Sequence, residues 1–160
     1  MSREYKHYRN YPKKLWHWPN FTPRELRSKG DNRLMVDPDS MDKLQALRGV
    51  LGEPIVLTSA YRSEAHNRTV GGAKGSYHKQ AKAFDCQMAG HDPERFERLA
   101  RHVGFTGFGF YEKSNFIHID TGPAREWGKR WWAKPEPKPP ASPWAGTITA
   151  IFNLFKGKRK

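Results

Sequence analysis

Ser76-Tyr-His-Lys-Gln-Ala-Lys-Ala-Phe-Asp85 is the stretch from which the rest of the chain is read. A histidine and an aspartate stand seven positions apart. That spacing does not put both on one helical face, where neighbours are three or four residues apart. It suits a loop that runs into a strand. A strand starting near Ala81 shows Ala81, Ala83 and Asp85 on one face, and Lys82 and Phe84 on the other. Two methyl-sized neighbours leave room beside the carboxylate, and His78 reaches the same point from the loop. Imidazole and carboxylate are both zinc ligands, and a catalytic zinc takes three protein ligands and a water.

The third ligand is sought elsewhere. Phe116-Ile-His-Ile-Asp120 alternates at period two, the signature of a half-buried strand. Phe116, His118 and Asp120 share one face; Ile117 and Ile119 share the other. A lone histidine in such a strand is ordinarily a satisfied core residue. Alongside His78 and Asp85, His118 is the candidate third ligand.

These segments resemble the M15 zinc D-alanyl-D-alanine peptidases, in the branch found in phage lysis proteins and bacterial murein hydrolases. The family pattern S-x-H-x-x-G-x-A-x-D is met by Ser76, His78, Ala83 and Asp85. Thr58-Ser-Ala-Tyr-Arg-Ser63 and His66-Asn-Arg-Thr-Val-Gly-Gly-Ala73 are similar to its substrate-side lead-in. Gly107-Phe-Gly-Phe-Tyr111, Phe116 to Gly122 and Arg125-Glu-Trp127 are similar to its closing segment. The resemblance runs from about Asn20 to Trp127. It departs at Ala81, where the family usually has glycine; alanine is a mild change unless that position needs a positive φ. It also departs from variants with His-x-His at the last ligand, because Phe116 holds the first of those positions.

The resemblance implies an α+β fold: a small antiparallel sheet carrying one zinc ion, packed with helices, as in M15 and Hedgehog-like proteins. It implies a peptidoglycan substrate, cut at a D-amino-acid amide of the stem peptide or at an L-alanyl-D-glutamate bond. Arg62 matches the family's substrate arginine, and a fixed guanidinium near zinc forks onto a carboxylate or steadies a developing oxyanion. Ser76 and Tyr61 are expected to bind substrate or hold the loop. Two carboxylates compete for proton handling. Asp120 shares a strand face with His118, and such carboxylates commonly fix metal-bound imidazoles. Glu112 stands where Hedgehog-type relatives carry a glutamate. His66 is read as loop-stabilising or substrate-side, not as a ligand.

The chain of 160 residues is expected to form one domain with a real core. Its 29 Lys and Arg against 16 Asp and Glu give a net charge of +13, with a mean hydropathy of −0.90. Such charge calls for polyanionic surroundings without naming them. A single cysteine, Cys86, excludes an intrachain disulfide and a cysteine-rich metal site. Residues 1–19 form a basic aromatic arm, expected to pack across the domain. No apolar segment follows the positive start, so the chain is expected to be made in a host cytoplasm without a signal peptide. It would then act at the wall or periplasm, or be carried in a virion.

Thr22, Pro23 and Glu25 read as a capping box opening a helix. Asp39 or Ser40 is expected to cap a second helix, with Met41, Leu44, Leu47 and Leu51 inward and Gly52 at its end. Pro54 to Ser59 reads as a strand and Glu64 to Gly75 as a glycine-rich loop. Asp92 opens a third helix that Gly104 stops. Gly107 and Gly109 lead into the last strand. Residues 20–133 thus make the peptidase domain, 134–143 a proline-rich linker and 144–160 an amphipathic basic tail. The tail's expected partners are anionic membrane, lipopolysaccharide or virion proteins. The leading reading is a zinc peptidase of the kind used as a phage endolysin or virion-associated lysin. Its rivals are a wall-binding or virion structural module that keeps the fold, and a basic nucleic-acid-binding protein.

Overall fold

The computed structural model describes residues 3–133 of the chain. The segments expected at 134–143 and 144–160 lie outside the described residues. Helix α1, Pro23–Leu26, opens with the foreseen box: Thr22 Oγ1 accepts from Glu25 N at 3.3 Å, and Glu25 Oε2 accepts from Thr22 N at 2.7 Å. Helix α2 is Pro38–Leu51, and its cap is Asp37 rather than Asp39 or Ser40. Proline fits the first helical turn because its fixed φ and missing N–H cost nothing there, so the cap falls on the residue before it. Asp37 Oδ2 accepts from Ser40 N at 3.1 Å. Met41, Leu44, Leu47 and Leu51 are buried as expected, each such side chain contributing about 1.5–3 kcal/mol. Gly52 ends the helix at φ 75°, where a side chain would be strained.

Strand β1 is only Leu57–Ser59. The supposed loop after it contains helix α3, Glu64–Thr69, because Ser63 Oγ caps His66 N at 3.1 Å. Strand β2 is Ala83–Gln87, helix α4 is Pro93–His102 capped by Asp92, and strand β3 is Gly107–Tyr111. A 3-10 turn over Glu112–Ser114, with Asn115 left-handed at φ 49°, turns β3 into strand β4, Phe116–Asp120. The segment read as the approach to one strand is therefore a hairpin of two. Strand β5, Arg125–Gly128, was not foreseen.

The five strands lie in the order β1-β2-β4-β3-β5. All pairings are antiparallel except β3 with β5, which run parallel, so the expected antiparallel sheet is mixed at one edge. One face of the sheet is apolar. Phe84, Cys86, Phe108, Phe110, Ile117 and Ile119 join α2 and the Phe96–Ala100 face of α4 in one core. The other face carries two cross-strand rows. Ala83, Asp120, Gly107 and Arg125 make the first; Asp85, His118, Gly109 and Trp127 make the second.

The arm is part of this body. Tyr5 and Leu34 exchange backbone hydrogen bonds of 2.7 and 3.0 Å. Trp18 is buried in the core, and its Nε1–H donates to Asp42 Oδ1 at 2.7 Å. The arm thus packs on the domain, and Trp18 contributes to the core rather than merely covering an edge.

Candidate active site

His78 lies in a 3-10 turn, Tyr77–Gln80, that ends on Ala81. Ala81 is left-handed, φ 58° and ψ 26°, so the strand starts two residues later than the sequence indicated. This backbone twist folds the turn back over β2. Asp85 and His118 are direct cross-strand neighbours. Three atoms converge: His78 Nε2 is 3.2 Å from Asp85 Oδ1 and 3.2 Å from His118 Nδ1, and His118 Nδ1 is 2.8 Å from Asp85 Oδ1. All three side chains are buried, and together they form a group that could hold a metal ion. Tetrahedral ligands about 2.0–2.1 Å from zinc stand ~3.3 Å apart; the two 3.2 Å sides are close to that spacing, and the 2.8 Å side would open slightly to admit the ion.

Each member is held from behind. His78 Nδ1 meets Ala60 O at 2.6 Å; with its proton there, Nε2 is bare. His118 Nε2 meets Asp120 Oδ2 at 2.9 Å, which leaves Nδ1 bare. Arg62 Nη2 donates to Asp85 Oδ2 at 2.6 Å and its Nε donates to Ser59 Oγ at 2.7 Å, so Asp85 turns its other oxygen to the histidines.

Electrostatics follow from this packing. Burial pushes the His78 imidazole down, against the pull of Asp85. Burial acts the same way on His118, but hydrogen bonds to Asp120 and Asp85 outweigh it and hold the ring above its ordinary range. Burial would raise Asp85, yet the His118 and His78 bonds keep its carboxyl well below the usual carboxylate range. Asp120 is also held low, because contacts with His118, Arg125 and Gly122 N overcome its burial.

Asp120 is fully buried and accepts four hydrogen bonds. Oδ1 takes Gly122 N at 2.8 Å and Arg125 Nη1 at 2.9 Å; Oδ2 takes Arg125 Nη2 at 2.7 Å and His118 Nε2. The close approach needs Gly107, because a Cβ there would stand 2.4 Å from both carboxylate oxygens. Gly109 does the same for Trp127, whose ring a Cβ would meet at 2.4 Å. Freed of that obstacle, the indole lies 5.0 Å from the His118 ring, centroid to centroid.

The triangle faces a cleft of about 630 Å³. Val70, Gly71, Gly72, Ala73 and Gly75 make a wall of mostly small residues, pinned by Asn67 Nδ2, which donates to Gly72 O at 3.1 Å and Ala73 O at 3.0 Å. Tyr77, Tyr111, Phe116 and Trp127 make an aromatic wall. Arg62 and Ser76 line the cleft as expected of substrate-side residues. Tyr61 does not: it is buried and its hydroxyl bonds to Glu4 of the arm. Glu112 does not either; it is exposed in the turn between β3 and β4, beyond the cleft. His66 sits on α3 against Gly30 and outside the triangle. Arg125, Trp127, Tyr77 and Tyr111 line the cleft without having been singled out for a role. The period-two spacing of Arg125 and Trp127 was the available signal of a strand.

A family model described as Peptidase M15 matches residues 19–120, more than half of the chain. The chain belongs to the Peptidase M15 family. It is 41% identical over 99 residues to the peptidoglycan L,D-endopeptidase MepK of Escherichia coli strain K12, covering 58% of this chain and 54% of that protein. It is 35% identical over 111 residues to the probable peptidoglycan L,D-endopeptidase MepK of Haemophilus influenzae, covering 64% and 60%. The chain spans little more than half the length of these curated relatives. The matched M15 segment holds all of the triangle and Asp120, and stops before Arg125 and Trp127. Among the described residues, no helix is long and apolar enough to cross a membrane.

Proposed function

We propose that this chain is a zinc-dependent endopeptidase of peptidoglycan, with one ion held by His78, Asp85 and His118. The observation that carries the reading is the buried triangle of two histidine ring nitrogens and one carboxylate oxygen, opening onto a peptide-sized cleft. Among murein bonds, an amide between an L- and a D-centre is favoured over D-Ala-D-Ala carboxypeptidase action, because both relatives bear L,D-endopeptidase in their names.

The residues divide the work. Ala60 O and Asp120 fix the two imidazoles, and Arg62 fixes Asp85. When bound, zinc supplies Lewis acidity and brings a water's pKa towards ~7. Asp120 has both oxygens occupied and no exposure, so its role is to orient His118 rather than to relay protons. Arg62 lines the cleft while bound to Asp85, so it couples a ligand to the substrate side. The aromatic wall bounds one side of the cleft.

The finer reading, a phage endolysin or virion-associated lysin, is supported by the high positive charge and the resemblance. The rival readings remain distinguishable: a wall-binding module leaves murein intact, and a nucleic-acid binder shows affinity that falls steeply with salt. The test is digestion of purified murein by the full chain, with mass spectrometry of the released muropeptides. Expected are products cut at one stem-peptide amide, abolished by chelation and restored by zinc. His118→Ala should bring zinc content from about one per chain to near none. Intact murein, or undiminished zinc in His118→Ala, would overturn the proposal.

A further inference from the structure

Hydrolysis of an amide places negative charge on the former carbonyl oxygen, and a preorganised donor aimed at it is worth a large factor in rate. Among the described residues lining the cleft, Asp85 is the one carboxylate, and it is committed to the triangle. Neither Asp120 nor Glu112 presents a free oxygen there. Three hydroxyls remain: Ser76, Tyr77 and Tyr111. Tyr111 is set apart by how it is held.

Its ring stacks on Phe116 at 4.3 Å between centroids and 14° between planes. Its oxygen accepts a hydrogen bond from Trp127 Nε1–H at 2.9 Å. That donor occupies a lone pair and leaves the phenolic proton to be given outward. Trp127 is itself fixed. It fits over Gly109, lies on His118, and has the Arg125 guanidinium 5.2 Å from its ring. The chain of contacts runs from the triangle through the indole to the Tyr111 hydroxyl, so that hydroxyl has a set place relative to the ion-holding atoms. Tyr111 as a residue is 39% exposed and lines the cleft.

We propose that Tyr111 is a catalytic residue whose hydroxyl donates a hydrogen bond to the scissile carbonyl oxygen as charge develops on it, and that Trp127 is the positioning residue that aims it. The phenolic proton stays on its oxygen; no bond to Tyr111 forms or breaks. This rests on the peptidase reading above.

The experiment is steady-state hydrolysis of soluble murein fragments by the zinc-loaded full chain. Tyr111→Phe keeps the stack on Phe116 and removes the donor. Its kcat should fall about 10²-fold, the low end for one such donor because the site is partly open to water. KM and zinc content should stay within twofold. Trp127→Phe keeps an aromatic cover on His118 but has no N–H, and should lose about tenfold in kcat. The double variant should be no slower than Tyr111→Phe, since two residues acting through one hydroxyl are not additive. If active wild type is matched within twofold by Tyr111→Phe, or if the two losses multiply, the inference fails alone. If wild type binds zinc and cleaves nothing, the peptidase reading fails and takes this inference with it.

Discussion

Asp120 holds His118 by its outer nitrogen: Oδ2 lies 2.9 Å from Nε2, and Arg125 forks onto the same carboxylate from the neighbouring edge strand. The candidate ligand is thus oriented by a fully buried anion with a cation behind it. Asp120→Asn keeps the shape and removes the charge. Zinc affinity should fall roughly 10–100-fold, measured by competition with a chromogenic chelator. Stability should drop by roughly 1.5–3 kcal/mol, because Arg125 loses a charge-assisted fork. Unchanged zinc affinity would rule out the orienting role.

Zinc binding should strengthen with pH. In the metal-free protein, hydrogen bonds to Asp120 and Asp85 hold His118 above its ordinary value, so protons compete with zinc for this ring up to a higher pH than for a free imidazole. His78, pushed down by burial, holds its proton less tightly and competes less. The sign is that protons compete below the raised His118 value and cease to compete above it. Zinc affinity, measured by competition with a chromogenic chelator across pH, should rise with pH and level off once the His118 ring is neutral. Affinity that stays flat or falls as pH rises would contradict this assignment.

Gly109→Ala tests the opening over which the indole reaches His118. The new methyl would stand 2.4 Å from the Trp127 ring, so the indole must leave its seat. Overpacking of this kind costs about 1–3 kcal/mol. Tryptophan fluorescence should shift and thermal stability should fall. An unperturbed spectrum with native stability would show that the glycine is dispensable.

Ala81 is left-handed at φ 58° beside His78. Left-handed geometry costs an L-residue about 1–2 kcal/mol, while glycine adds roughly 0.5–1 kcal/mol of unfolded-state entropy. Ala81→Gly should therefore stabilise by roughly 0.5–1 kcal/mol in denaturant titrations, and Ala81→Val should destabilise. A stability loss in the glycine variant would show that the buried methyl outweighs the strain.

Much of this arrangement was legible in the residues. The capping box at Thr22, the inward leucines of α2 and the alternation of Phe116 to Asp120 are local patterns, and local patterns survive folding. Ala81 shows the limit. Its departure from the family's glycine was visible, but whether the position needs a positive φ is a property of the turn, not of the residue. Helix α3 was hidden because its polar residues carry no apolar period. Strand β5 was hidden because only four residues pair, and they do so in parallel with β3, not with β4, the strand just before them in sequence. Tyr61 and Glu112 lie outside the cleft lining for a common reason. Proximity in sequence to a site residue does not fix direction, and a buried bond to Glu4 or a turn at Asn115 decides it.

At 144–160, Trp144, Ile148, Ile151 and Phe155 fall on one stripe at helical spacing, before the basic run Lys156 to Lys160. As a proposal from sequence, deleting this segment should leave hydrolysis of soluble murein fragments nearly unchanged. Binding to vesicles containing anionic lipid should fall, most at low salt. Equal vesicle binding with and without the segment would remove the membrane role.

The glycine openings in β3 have a kinetic consequence. Through them, the support for His118 comes from β5, an edge strand of four residues with one neighbour. Edges fray at much lower free energy than centres. Peeling of Arg125–Gly128 would uncover His118 and strip Asp120 of its cation while the core beneath stayed folded. The dwell time of a bound ion would then be set by a local opening event, far more frequent than global unfolding. In hydrogen exchange, β5 amides should trade with solvent well before those of β4, and zinc should slow the edge more than the centre.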